Sequence, residues 1–145
     1  MRVDFYQLAG EPAENLLPLL AQKVRAGGDR LLVVSGDAPQ LERIDRALWE
    51  RLPEAFLAHG HADAGHAERQ PILLSARCTA DNRARFVALA DGTWRAEAEG
   101  FERVFLLFGE EALQGARACW RMLGERDDAE RHFWKLEAGR WREGP

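Results

Sequence analysis

Short apolar runs separated by amphipathic stretches restrict this chain more than any other feature. Residues 30–35 (R-L-L-V-V-S), 71–75 (P-I-L-L-S), 86–90 (F-V-A-L-A) and 104–108 (V-F-L-L-F) are almost uninterrupted apolar segments, and residues 3–8 (V-D-F-Y-Q-L) are rich in strand formers. A strand with one wet face alternates polar and apolar residues, so continuous runs predict strands covered on both faces. Between them, Leu16, Leu17, Leu20 and Val24 recur at helical spacing, as do Leu41, Ile44, Leu48 and Leu52. Residues 110–124 form the last clear helix, with two acids in its first turn, where the helix dipole favours them. Strands alternating with helices predict one α/β domain over residues 1–145, with a mostly parallel central sheet and helices packed on its faces.

Local signals place the boundaries. Pro12 suits the first turn of a helix over residues 11–25, whereas Pro18 demands either a kink or a later start. Gly27-Gly28 ends that helix. Asp37 followed three residues on by Gln40 resembles a capping box. Trp49 falls roughly 80° off the apolar stripe of the second helix, at the edge of its buried face. Residues 60–70 read as a polar loop, and residues 131–142 as a terminal edge strand or hairpin.

Composition excludes several function classes. Apolar residues make up 46% and charged residues 30%, a globular mix. With 24 acids against 20 bases the net charge is −4, which argues against a surface that grips nucleic acid broadly. The opening M-R-V-D-F puts an acid where a signal peptide needs its apolar stretch, and no apolar run approaches the 18 or so residues of a membrane span. Cys78 and Cys119 suggest no disulfide framework. The expectation is a cytoplasmic protein.

Chemistry that a small α/β domain invites is mostly missing. The phosphate-loop pattern G-x-x-x-x-G-K-[ST] is absent, and Gly36-Asp37 after the second strand would set an acid against a phosphate. His59-x-His61-x-Asp63 suggests a metal-dependent hydrolase, the rival reading, but Ala64 stands where a metal-binding H-x-H-x-D-H run needs its last histidine. A histidine-rich surface loop is the plainer account, and adventitious metal affinity is the next. Ser35 and Ser75 lie in no nucleophile elbow, and Cys119 falls on the apolar side of the last helix. The residues therefore predict no catalytic group, no cofactor and no metal.

One surface stands out. Ala112, Ala116, Cys119 and Leu123 form the buried stripe of the last helix, with Leu113 and Trp120 at its edge and Arg117 and Arg121 flanking that edge. Residues 112–124 hold these two bases and no acid. An apolar ledge bordered by guanidiniums suits a ligand with an apolar group and carboxylates. A solvated face whose arginine stems cover apolar surface would show the same pattern.

The chain resembles the chi subunit family of the bacterial DNA polymerase III holoenzyme. The likeness rests on D-F-Y-Q-L (4–8), A-L-W (47–49), E-A-F-L-A-H-G (54–60), Q-P-I-L-L-S (70–75), F-E-R-V-F-L-L-F-G (101–109), A-R-A-C-W-R (116–121) and F-W-K-L (133–136), in that order. It implies a Rossmann-like fold without nucleotide binding or catalysis. The implied partners are the psi subunit of the clamp loader and the acidic C-terminal tail of single-stranded DNA-binding protein, which ends in Pro-Phe. DNA would be met only indirectly. The tail pocket of the family maps onto Arg117 and Trp120, with Arg121 and Leu113 beside them, and the psi-facing surface onto Trp49, Phe56 and Leu57. Core packing is the other reading of Phe56, and a repair helicase could share the Trp49 surface. Cys119 replaces a base common in relatives, and Asp127 and Asp128 add acids nearby, so weaker tail affinity is expected.

Overall fold

Each buried strand divides its side chains between two cores. In the computed structural model, which describes residues 1–144, β2 (Leu31–Val34) sends Leu31 and Val33 to one face of the sheet and Leu32 and Val34 to the other. The same period-two division runs through β6 (Arg103–Phe108), with Phe105 and Leu107 on the first face and Val104, Leu106 and Phe108 on the second. This explains why the strands read as unbroken apolar runs.

Among the described residues the sheet has eight strands in the order β3-β4-β2-β5-β6-β1-β7-β8. Besides β2 and β6 these are β1 (Arg2–Gln7), β3 (Gly60–His61), β4 (Ile72–Ser75), β5 (Phe86–Leu89), β7 (Glu130–Glu137) and β8 (Arg140–Glu143). Every pairing is parallel except that of β7 with β8. Helices α1 (Ala13–Ala26) and α2 (Ala38–Glu50) cover the first face, and α3 (Leu113–Gly124) covers the second while carrying the chain from β6 across β1 to β7. The architecture is the α/β sheet with helices on both faces expected from the sequence.

Several local expectations need correction. Helix α1 starts at Ala13 and runs through Pro18, which is buried, so it does not begin late. The capping box does not form: Asp37 makes no side-chain cap bond, and the Gln40 amide instead donates to the Ala90 carbonyl at 3.0 Å and accepts from Ser35 Oγ at 2.5 Å. Gln40 thus joins the ends of β2 and β5, two partners that outcompete a single cap bond. The supposed loop over residues 60–70 opens with β3, a two-residue edge strand paired with β4. The first turn expected of the last helix is a separate 3-10 turn, Glu110–Ala112.

The terminal hairpin closes through Ala138 and Gly139, both at positive φ (50° and 77°), the backbone a two-residue type I′ turn requires. His132 on β7 clasps it, meeting Glu130 and Glu143 at 2.6 Å each. The Glu130 carboxylate foremost, and Glu143 after it, raise the imidazole above its ordinary value. A raised folded value means the clasp is complete below about pH 6.5 and is lost as pH rises through the folded value. Protection factors of β8 amides, which remove the base-catalysed rise common to all amides, should fall as pH rises above about 6.5, and His132→Gln should remove that fall.

Candidate functional site

The carboxyl ends of β1, β2, β5 and β6, where ligands of open α/β sheets usually bind, surround a cleft of about 690 Å³. Its rim carries Glu11, Glu14, Asp37, Asp91, Glu110 and Glu111, with Arg43 among them. The Gly36 N–H, which a phosphate loop would offer to its ligand, donates at 2.9 Å to Asp91. Burial would raise Asp91, but hydrogen bonds from Arg95, Gly36 and Thr93 hold it below the usual carboxylate range. An anionic rim with its free amide already engaged repels a phosphate.

The basic surface lies on the opposite side of β1. Alternation along β1 turns Phe5 and Gln7 toward α3, and the α3 crossover brings β7 beside them. A cleft of about 420 Å³ results, floored by Phe5, Phe108, Leu113, Trp120 and Phe133 and edged by Arg117, Arg121 and Lys135. No acid lines it. Trp120 is fixed edge-on against Phe5 (ring centroids 5.1 Å) and Phe133 (6.2 Å), while the Arg131 guanidinium sits 4.2 Å over its ring and donates to its carbonyl at 2.9 Å. Among the described residues Arg117, Arg121 and Lys135 enter no ion pair, and both arginines are exposed.

All four residues singled out on the last helix, Leu113, Arg117, Trp120 and Arg121, therefore line one cleft. The sequence reading missed Phe5, Phe133 and Lys135, which stand far away in the chain; only the F-W-K-L segment hinted at the last two. Asp128, feared as a competing acid, is held by Arg126 at 2.7 Å. Cys119 is buried in the core under α3, and burial pushes its thiol up to about 12, which leaves no thiolate for chemistry near neutral pH.

The aromatic pair lies elsewhere, after α2. Trp49 is 55% exposed and Phe56 85% exposed, whereas Leu57 is 4% exposed and belongs to the core under α1 and α2. Leu57 thus supports this surface from within and cannot touch a partner, a correction to its place beside Trp49 and Phe56. Phe56 follows the 3-10 turn Pro53–Ala55 at φ 48°. A bulky aromatic in the left-handed region is an outlier of the kind that clusters at ligand and partner contacts.

The histidine run does not converge as a hydrolase would need. His59 is buried, with Nδ1 2.7 Å from the Leu57 carbonyl, Nε2 2.9 Å from Asp45 Oδ1, and Trp49 against its ring at 4.3 Å. Both its nitrogens are engaged, and Asp63 is exposed on a separate turn. His59, His61 and Asp63 therefore do not form one ligand set.

No helix among the described residues is long and apolar enough to cross a membrane. No curated protein matches the chain. A family model described as DNA polymerase III chi subunit, HolC, matches residues 1–129, from β1 through α3, and stops just short of the β7–β8 hairpin. With nearly nine-tenths of its length under that match, the chain belongs to the DNA polymerase III chi subunit family.

Proposed function

We propose that this accessory subunit of DNA polymerase III is a non-catalytic adaptor that joins the clamp loader to protein-coated single-stranded DNA. The observation that carries the reading is the acid-free cleft of Arg117, Arg121 and Lys135 over an aromatic floor, in a chain of net charge −4. Its ligand is the acidic C-terminal tail of single-stranded DNA-binding protein. The terminal Phe ring enters against Leu113, Phe133 and Trp120, Arg117 pairs the terminal carboxylate, and Arg121 and Lys135 meet the upstream acids. Calorimetric titration with an acidic peptide ending in Asp-Ile-Pro-Phe tests this. Salt-sensitive binding that disappears when the terminal Phe is removed is the expected result; equal affinity for the truncated peptide would refute the pocket.

The second partner is the psi subunit, anchored on Trp49 and Phe56, since exposed aromatics are the side chains that dominate protein interfaces. Phe56→Asn separates binding from folding. Asn tolerates the left-handed backbone that strains Phe56, and an 85% exposed ring contributes little to the core. The melting temperature should hold or rise while psi capture is lost. A variant that unfolds would show instead that Phe56 is a structural residue.

A further inference from the structure

Helix α2 carries Glu42 and Asp45 three residues apart, so both carboxylates leave one face of the helix. Strand β3 brings His61 alongside. Its Nε2 stands 3.6 Å from Glu42 Oε1 and 3.8 Å from Asp45 Oδ1. Both gaps exceed the roughly 2.7–3.2 Å of an N–H···O hydrogen bond. The other histidine–carboxylate pairs do close: His59 to Asp45 at 2.9 Å, and His132 to each glutamate at 2.6 Å. One nitrogen and two oxygens held slightly too far apart to bond have the spacing of ligands that each lie about 2.0–2.2 Å from a shared ion.

The surroundings are built for that use. The three ligand atoms lie within 4.8 Å of one another. Asp45 is oriented by buried His59, whose ring is in turn covered by Trp49, the kind of outer hydrogen bond that fixes a metal-binding carboxylate. Glu42 and His61 open on a cleft of about 380 Å³ also lined by Asp63, Ser75 and Arg77, with room for water in the remaining coordination positions. One imidazole with two carboxylates selects a borderline first-row cation over magnesium or calcium, which prefer oxygen alone.

We propose that Glu42, Asp45 and His61 form a site for one divalent cation of the zinc class. The bound ion cross-links α2 to β3, a strand of two residues that otherwise holds the sheet edge through β4 alone. It thereby steadies the segment between α2 and β3 on which Phe56 stands.

The test uses the untagged full chain, freed of metal by dialysis against a chelator and titrated with zinc against a chromophoric competitor. One zinc per chain and a melting temperature that climbs with zinc but not with magnesium are expected. Glu42→Gln and His61→Gln should each weaken zinc binding at least tenfold, while His66→Gln and His132→Gln leave it unchanged. Glu42 is a surface residue, so its variant keeps the fold and the comparison stays interpretable. Absence of zinc binding, binding that survives both Glu42→Gln and His61→Gln, or binding lost in His132→Gln would each overturn the site.

Discussion

Arg117→Ala is expected to weaken binding of an acidic peptide ending in Pro-Phe by about ten- to a hundredfold, the range for losing a charge-assisted hydrogen bond. The change should leave the melting temperature intact, because Arg117 is exposed and enters no ion pair among the described residues. Arg46→Ala, at an exposed arginine on α2, removes the same charge away from the cleft and should change affinity little. Titration of both variants at low and moderate salt separates a local carboxylate contact from diffuse attraction, since screening acts on both while only the contact is lost in Arg117→Ala. Trp120→Ala would be a poorer probe. Trp120 also packs on Phe5 and Phe133 beneath Arg131, so its removal damages the α3 side of the core together with the ligand surface.

The largest effect on stability is expected at Asp4, the fully buried carboxylate at the centre of β1. It accepts from Arg103 Nε at 2.7 Å, from Trp134 Nε1 at 2.9 Å and from the Arg2 guanidinium at 3.1 Å, so one side chain binds β6, β1 and β7 together. Asp4→Ala should cost about 3–5 kcal/mol in urea unfolding, the cost of breaking a buried ion pair from one side. Burial by itself would raise the Asp4 carboxyl, but hydrogen bonds from Arg103, Arg2 and Trp134 outweigh burial and hold it below the usual carboxylate range. A lowered folded value places this stabilisation above the unfolded value of about 3.9, to be lost as pH falls through the folded one. The gap between the native chain and Asp4→Asn should therefore be full at pH 6 and narrow below about pH 4. A gap that stayed constant with pH would show that Asp4 acts through shape and not charge.

The α3 half of the basic cleft was legible because helical spacing is local. Arg117, Trp120 and Arg121 fall together by rotation about one axis, whatever the rest of the chain does. Phe5 and Lys135 were not legible as partners of that helix, because only the parallel pairing of β1 with β7, made by the crossover of α3, brings them there. Phe56 was undecidable for another reason. Ala55-Phe56-Leu57 has no period of its own, and its exposure follows from a left-handed backbone at Phe56 that turns Leu57 inward. The His59-x-His61 spacing holds no information on depth: His59 precedes β3 and is buried against Leu57 and Asp45, while His61 on the strand is only partly buried.

By itself the sequence determined the strands other than β3, the three α-helices to within a turn, the α/β class and the basic edge of α3, since each depends on the pattern of residues close together in the chain. The tertiary structure alone decided which face each strand residue meets, that Asp91 already occupies the Gly36 amide, that His59 is buried while His61 faces α2, and that aromatic residues of β1 and β7 complete the cleft. Those outcomes depend on strand order and crossover direction, and residues more than a hundred positions apart leave no local period from which to read them.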